Sequence, residues 1–398
     1  MALPPRMKFG VFLAPFHELG EDPTLCLERD LELLQWLDYL DFDEAWIGEH
    51  HSAGWETIAS PEIFIGVAAE RTRHIKLGTG VLSLPYHHPL MVANRMILLD
   101  HLTRGRVMLG VGPGALTTDA LMLGIEPTTQ RPRMEEAMEV ILRLFKETEP
   151  ITVESEWFKL NNARAHLRPY TQPHMPIAVA AAQTPSGMVT AGRFGAGVLS
   201  LARPRNAEAT LADFWQIAEN TAVQYGQTMN RHEWRIVMHV HLAETREQAI
   251  EEARVRAGDY RHNYFETTLG QPVTFDVPNN QIIDHMAANE IWCVGTPDDL
   301  IAAIHKADEQ SGGFGGLLIQ STEWATRDEV RRSYELVARY VKPHFQGSLV
   351  NLQGSQQDAE RNAASTRAMQ EVAFAQARAD YRERSGGADS PFSRDIGR

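Results

Sequence analysis

Residues 43–55, DEAWIGEHHSAGW, join an apolar strand-like run to a cluster of ionisable side chains. The run Asp43–Ile47 ends at a glycine, and Glu49, His50 and His51 follow at once. Inside a strand, three adjacent ionisable groups would be buried without partners, which costs free energy. At the exit of a strand, a rigid scaffold holds such groups where they can act, and histidine titrates near neutral pH. The stretch therefore predicts a catalytic site at the carboxyl end of a strand.

Strand-like and helix-like segments alternate on both sides of this stretch, which favours a parallel sheet wrapped by helices. Eight predicted strands over about 340 residues fit an α/β fold of the (β/α)₈ TIM-barrel type with insertions, and a doubly wound open sheet is the alternative. The predicted strands are Met7–Phe12, Glu44–Ile47, Ile75–Leu82, Val107–Val111, Pro176–Ala181, Val198–Leu201, Ile236–Leu242 and Gly316–Gln320.

The barrel domain is expected to span residues 1–345, with two insertions. Residues 150–170 predict a hairpin, and residues 266–292 predict a long excursion of the kind that often forms a lid. Residues 346–398 predict a C-terminal helical extension that lies on the barrel or on a second subunit and ends in a disordered tail, Ser385–Arg398.

Charge and composition exclude several classes of protein. A net charge of −14 and a pI near 5.6 argue against a nucleic-acid binder. No apolar run approaches the roughly 20 residues that cross a bilayer, and the N-terminus lacks a signal-peptide core. Cys26 and Cys293 are too few for a disulfide framework, and His87 and His88 lack partners at metal-binding spacing. We expect a cytoplasmic protein without a metal site.

Glycines and a helix start predict a ligand that carries a flat ring and a phosphate. Glycines in Gly78–Val81 and Gly110–Gly114, at two strand ends, let a flat ligand approach the backbone, although turn formation alone also explains them. Thr184 is the expected N-cap of a helix with Pro185 at its first position, and the N-terminus of a helix suits a phosphate. Arg131 and Arg133, at the start of the helix after the fourth strand, are candidate cations for the same phosphate, unless they are simply solvated.

Hydrophobic side chains near strand ends suggest a hydrophobic substrate, although the same residues could belong to the core. These candidates for the substrate pocket are Phe16, Trp55, Leu116 and Met122.

Several motifs occur in an order and spacing that resemble the bacterial luciferase-like superfamily of flavin-dependent monooxygenases, over about residues 7–343. They are Glu49-His50-His51, Gly78-Thr79-Gly80-Val81, Leu84-Pro85, His88-Pro89, Leu99-Asp100 and Gly105-Arg106. Three runs most resemble the limonene 1,2-monooxygenase-like branch, namely Asp43–Trp55, Leu84–Pro89 and Gly112–Ile125.

The resemblance implies a two-component enzyme. A separate NAD(P)H:flavin reductase would supply reduced FMN, oxygen would add at flavin C4a, and the hydroperoxide would oxygenate a small hydrophobic substrate. Epoxidation of a terpene-like alkene and Baeyer–Villiger oxidation of a ketone are both open. The resemblance also implies at least a homodimer. His50 would be the catalytic histidine that adjusts the protonation of the peroxide, with Glu49 and His51 beside it.

The resemblance also implies a set of cofactor-binding residues, with a non-proline cis peptide beneath the flavin at Gly80-Val81. The set is Gly80, Val81, Gly112, Arg131, Ala181, Gln183, Ser186 and Gly187. Gly112 and Pro113 replace a reactive cysteine and an arginine of luciferases, so light emission is not implied.

Three alternatives stay open. A deazaflavin-dependent oxidoreductase shares the superfamily fold, and a non-catalytic flavin-binding protein is possible, although the intact Glu49–His51 cluster argues against it. A metal-dependent barrel hydrolase is the third alternative.

Overall fold

The computed structural model contains two compact units, Pro5–Gln346 and a second one formed chiefly by Gly347–Arg398. The residues that the structure describes are 6–14, 16–181, 184–202, 209–273 and 277–387.

Eight parallel strands of the first unit form a closed barrel. Each strand pairs with the next along the chain, and the last returns to the first, where Gly316 lies opposite Lys8. This closure confirms the TIM barrel and rules out the open doubly wound sheet. The strands are β1 Lys8–Leu13, β2 Glu44–Ile47, β3 Lys76–Thr79, β4 Val107–Gly112, β5 Ile177–Ala180, β6 Gly197–Leu201, β7 Trp234–Leu242 and β8 Gly316–Gln320.

Helices connect the strands, and several begin at the signals that the sequence contains. Asp22 caps the first helix by accepting a hydrogen bond from the Leu25 N–H at 3.0 Å. The α-helices are α1 Pro23–Tyr39, α2 Pro61–Arg71, α3 Pro89–Thr103, α4 Thr117–Met122, α5 Gln130–Lys146, α6 Ser186–Phe194, α7 Leu211–Gln224, α8 Arg246–Asp259, α9 Ile282–Ala288, α10 Pro297–Ser311, α11 Arg327–Leu336, α12 Lys342–Gln346 and α13 Val350–Arg384. Short π-helices, Tyr260–Thr268 and Val337–Val341, continue α8 and α11.

The two predicted insertions are present, and one holds more structure than expected. Within the first, two short strands pair antiparallel, Ile151–Glu154 with Lys159–Ala163. The excursion at residues 266–292 contains the end of the first π-helix and all of α9, which the sequence did not predict. The Gly and Pro residues on which that expectation rested lie outside these helices. Cys293–Gly295 then adds a short strand to β7.

The predicted third strand, Ile75–Leu82, is too long. Regular pairing ends at Thr79, and Leu82–Ser83 forms a separate short strand against β4. The Gly80 N–H still donates to the Ile47 carbonyl at 2.5 Å. Beyond that bond the chain leaves β2 and pairs with β4 instead.

Side chains fill the inside of the barrel, so it is a packed core with a site only at its end. Trp46 on β2 is the largest of them, and a Cβ added at Gly78 on β3 would lie 2.6 Å from its ring. At the amino end of the barrel, the Arg235 Nε donates to Glu44 Oε2 at 2.8 Å. In barrels of this type the site lies at the opposite, carboxyl end of the strands.

The second unit consists mainly of α13, a helix of 35 residues whose side chains are largely exposed. Its helical character agrees with the predicted extension, and its contact with the barrel or with a second subunit stays a prediction. Most of the predicted tail, Ser385–Arg398, lies outside the described residues. None of the helices in the described part of the chain combines the length and the hydrophobicity that a membrane crossing requires.

Candidate active site

His50 lies directly beyond the carboxyl end of β2 and is held by two buried carboxylates. Its backbone N–H donates to the Ile58 carbonyl, which fixes the turn. The ring Nε2 lies 3.0 Å from Glu56 Oε2, and Nδ1 lies 3.2 Å from Asp119 Oδ2. Glu56 is 7% exposed and Asp119 is 1% exposed, so both carboxylates are shielded from water.

These two carboxylates decide the charge of His50. Burial by itself opposes protonation, but the negative charge of Glu56 and the hydrogen bonds to Asp119 and Glu56 outweigh it and raise the pKa to about 10. His50 is therefore an imidazolium at neutral pH. Each of its ring N–H groups donates to a carboxylate.

Asp119 and Glu56 connect His50 to neighbouring elements at the mouth of the barrel. Asp119 Oδ1 accepts hydrogen bonds from the His51 backbone N–H at 3.1 Å and from the Ser52 hydroxyl at 2.5 Å. The Tyr264 hydroxyl, in the helix that follows β7, donates to Glu56 Oε1. The loop after β2 is thus tied to α4 on one side and to the helix after β7 on the other.

The side chains of Glu49 and His51 belong to a second network. Glu49 Oε1 lies 3.1 Å from His51 Nε2 and 2.5 Å from His87 Nε2. Its Oε2 accepts the Ser83 backbone N–H at 2.5 Å. Burial raises the pKa of Glu49, but these hydrogen bonds outweigh it and lower the pKa to about 2. Glu49 is thus a buried anion that ties β2 to the chain after β3.

The chain after β3 has the backbone geometry that the resemblance implies. The Gly80–Val81 peptide bond is cis and is not followed by proline. Gly112, at the end of β4, faces this peptide, and a Cβ added at Gly112 would lie 2.5 Å from Val81 Cγ2. The absence of a side chain at Gly112 therefore lets β4 pack closely against Val81.

Arg131 and the start of α6 come together as expected. The Arg131 Nε donates to the Ser186 hydroxyl at 3.1 Å, and the Thr184 hydroxyl lies 2.8 Å from the same oxygen. The predicted cap is one residue off, because Pro185 occupies the N-cap position and α6 begins at Ser186. Thr184 therefore bonds a hydroxyl rather than a backbone N–H.

Close packing places the start of α6 against the end of β5. A Cβ at Gly187 would clash with the Ala180 carbonyl and with the buried Ala181. Gln183, a further predicted cofactor residue, lies outside the described residues. The donor set here, a guanidinium, two hydroxyls and the first N–H groups of a helix, has the chemistry that binds a phosphate.

The four predicted substrate residues lie in different surroundings. Phe16 and Trp55 have ring centroids 4.9 Å and 5.7 Å from that of Tyr264, next to the His50 network. Leu116 is buried just before α4, whereas Met122, at the end of α4, is 68% exposed. Contact with substrate stays a prediction for all four.

Sequence reasoning missed the partners that hold His50. Glu56 follows the quoted stretch by one residue, so a carboxylate close in sequence was available as a signal. Asp119 and Tyr264 lie far along the chain, and no local pattern marks them.

A cavity of about 290 Å³ lies outside this site, near α1 and α11. Ion-paired charged side chains line it, such as Arg29 with Glu21 and Arg327 with Glu32. Among the described residues, no cluster of three or more His, Cys, Asp or Glu side chains is arranged to hold a metal ion.

The family model of luciferase-like monooxygenases matches residues 7–313. A 4-hydroxyprotoasukamycin monooxygenase from Streptomyces nodosus subsp. asukaensis is 47% identical, over 86% of this chain and 94% of the relative. A limonene 1,2-monooxygenase from Rhodococcus erythropolis is 46% identical, over 92% of this chain and 95% of the relative.

More distant similarities agree with the fold and the family. The oxygenase component of a flavin-dependent trigonelline monooxygenase from Acinetobacter baylyi is 27% identical, over 70% of this chain and 78% of the relative. The crystal structure of the monooxygenase RslO1 from Streptomyces bottropensis superposes with a TM-score of 0.75 at 24% identity, over 85% of this chain and all of that one. With a family model that spans most of the barrel and two relatives above 45% identity, this chain is a member of the luciferase-like monooxygenase family.

Proposed function

We propose that this protein is the oxygenase component of a two-component monooxygenase. It would receive reduced FMN from an NAD(P)H:flavin reductase and use O₂ to insert one oxygen atom into a small hydrophobic substrate. The observation that carries the proposal is the pairing of the His50 network with the Arg131–Ser186 donor set at one end of the barrel.

The donor set supports a phosphate-bearing cofactor. Arg131 brings a positive charge to the hydroxyl of Ser186 at the N-terminus of α6, where the helix dipole also favours an anion. In FMN the phosphate is terminal, so one such group of donors could hold it. Reduced FMN, when bound, supplies the electrons that activate O₂.

The residues of the mouth would orient the reactants and exclude water. His50 holds a proton on both ring nitrogens, and a reacting oxygen atom would reach either N–H only by displacing Glu56 or Asp119. The Tyr264–Glu56 bond covers the mouth from the side of β7. A closed, dry mouth favours transfer of oxygen to substrate over loss to water.

The names of the relatives support a hydrophobic substrate and an accessory reductase. Two relatives are named for the oxygenation of limonene and of 4-hydroxyprotoasukamycin, and the trigonelline relative is named as an oxygenase component. For this chain we propose a terpene-like alkene or a cyclic ketone, oxidised by epoxidation or by Baeyer–Villiger insertion.

The test is a reconstituted assay with a flavin reductase, FMN, NADH, ¹⁸O₂ and a panel of terpenes and cyclic ketones. The proposal predicts a product that carries one ¹⁸O atom and depends on both the reductase and this protein. Anaerobic reduction of a bound deazaflavin by substrate, without any binding of reduced FMN, would overturn the proposal in favour of the deazaflavin alternative.

A further inference from the structure

His239 is a polar side chain inside the mouth of the barrel that the proposed mechanism does not use. It lies on β7 opposite Gln320, the last residue of β8. Because side chains alternate along a strand, it faces the same side as Val237, which belongs to the packed interior. His239 therefore faces the barrel interior at the level where β8 ends.

Aromatic rings surround His239. Its ring stacks on Trp324 with centroids 5.7 Å apart and planes 7° apart, and on Trp292 at 5.4 Å and 29°. We call this ring cluster the aromatic wall; its members are Phe16, Tyr260, Tyr264, Phe265, Trp292 and Trp324, of which Phe16 and Phe265 are partly exposed and the others are buried.

The aromatic wall is continuous with the His50 network. The Phe16 ring lies 4.8 Å from that of Tyr260 and 4.9 Å from that of Tyr264. Tyr264 in turn donates its hydroxyl hydrogen to Glu56, which holds His50. A molecule that packs against this wall would thus lie beside the residues that we propose for the oxygenation.

His239 has hydrogen-bonding capacity to spare. Its Nε2 lies 3.4 Å from the Tyr260 hydroxyl, a long contact, and the part of the chain that the structure describes offers Nδ1 no partner. The side chain is partly exposed. Burial among the rings lowers the pKa of His239 to about 4, so the ring is neutral and carries one N–H.

We propose that His239 selects a hydrophobic substrate that bears an oxygen atom, by binding a carbonyl or hydroxyl oxygen through its ring N–H while the carbon skeleton packs on the aromatic wall. The inference rests on the proposed function and narrows its substrate to an oxygenated cyclic compound such as a ketone or an enone. A pure hydrocarbon would pack on the same wall but leave the His239 N–H without a partner, which costs free energy.

The test compares two terpenes that differ by one carbonyl group, carvone and limonene. Their binding to the cofactor-free full-length protein is measured by quenching of tryptophan fluorescence, because Trp292 and Trp324 lie in the wall. The His239→Phe variant retains a flat ring but loses the N–H. We expect it to weaken carvone binding about tenfold and to change limonene binding less than about twofold. His305→Phe, on α10, is the control and should change neither.

A further pair of variants keeps the result interpretable if His239→Phe does not fold. His239→Asn places an amide N–H near the position of Nδ1 and should retain most carvone binding, whereas His239→Leu should lose it. The inference is wrong if every variant weakens the binding of carvone and limonene equally, or if no variant weakens the binding of either. It is also wrong if the wild-type protein does not bind carvone. Binding of reduced FMN by the same preparations reports on the proposed function independently.

Discussion

His50 is held between two carboxylates, and this arrangement governs how its ring can act. Glu56 and Asp119 each engage one ring nitrogen, so the charged form is favoured in the folded protein. The ring is a strong hydrogen-bond donor and a poor base at neutral pH. Under the proposed function the ring would not remove a proton, and it could donate to a reacting oxygen only by giving up its bond to Glu56 or Asp119.

The charge of His50 predicts a pH dependence of stability. Its pKa rises from 6.5 to about 10 on folding, so its stabilising contribution is complete below pH 6.5 and is lost as the pH rises to about 10. We expect His50→Gln to lower the thermal midpoint most at pH 6, with a difference from wild type that shrinks towards pH 10. Thermal melts across this range measure it. A difference independent of pH, or one equal to that of the exposed control His166→Gln, would contradict the assignment.

The roles of single residues could be predicted from the sequence where neighbouring residues indicated them. The position of His50 and the separate roles of the neighbouring histidines follow from adjacency in an extended chain, and in the structure His51 does join a different carboxylate, Glu49. The other half of the site was not predictable, because only the fold brings Asp119 to His50 and Tyr264 to Glu56. The sequence pattern around Asp119 and around Tyr264 does not indicate these contacts.

At the scale of elements, the π-helix that continues α8 is held over the mouth by Tyr264. We expect Tyr264→Phe to release residues 260–268, because it removes the hydrogen bond to the buried Glu56. Hydrogen exchange in this segment should accelerate, and more of the oxygen consumed should appear as hydrogen peroxide. Tyr170→Phe, at an exposed position, is the control. Unchanged exchange and unchanged peroxide yield would show that Tyr264 does not hold the segment.

The start of α5 offers a matched pair of arginines for testing the phosphate site. Arg131 donates to Ser186, whereas the Arg133 guanidinium lies over the Trp157 ring at 5.5 Å. We expect Arg131→Gln to weaken binding of reduced FMN by about tenfold or more, since hydrogen bonds to charged groups contribute about 1.5–3 kcal/mol. Arg133→Gln should change it little. Anaerobic titration measures both, and equal effects would remove Arg131 from the site.

Elements with strong local signals were predictable, and those shaped by long-range pairing were not. The Asp22-Pro23 start of α1 needs only one turn of helix to form. The short strand Cys293–Gly295 exists because β7 extends far enough to pair with it, and the register of Val240 with Cys293 depends on both. Strand three was predicted too long for the same reason, because its last residues pair with β4 instead.

At the scale of the whole molecule, a buried ion pair closes the amino end of the barrel. Glu44 on β2 binds Arg235 on β7, across the interior. Burial raises the pKa of Glu44, but the charge and hydrogen bonds of Arg235 outweigh it and lower the pKa from 4.5 to about 2. The stabilising contribution of Glu44 is thus present above pH 4.5 and is lost as the pH falls through about 2.

We expect Glu44→Gln to reduce the free energy of unfolding by about 2 kcal/mol at pH 7, because it removes a charged hydrogen-bond partner of the buried Arg235 and leaves only the partly exposed Glu233 carboxylate as its counter-charge. Urea unfolding measures this loss, which should shrink towards pH 2. The control is Glu154→Gln, which breaks an exposed pair with Lys159. An equally small effect of both substitutions would show that the pair does not stabilise the barrel.

Closure of the barrel depends on pairing between residues that lie far apart in the sequence. The sequence predicts eight strands in order, yet a ring and an open sheet share that order. The pairing of Lys8 with Gly316 distinguishes them, and it joins residues about 300 positions apart. The number and alternation of the predicted strands favoured the ring, the resemblance to a known family also implied it, and the open sheet stayed the alternative.

The central claim is that the mouth of this barrel binds reduced FMN and delivers oxygen to an organic substrate. Its most direct measurement is the ratio of product formed to O₂ consumed, with reduced FMN supplied in a single turnover. With an accepted hydrophobic substrate, most of the oxygen should appear in product for the wild-type protein and far less for His50→Ala. A ratio that is unchanged in His50→Ala, or a wild-type protein that leaves reduced FMN free in solution, would contradict the claim.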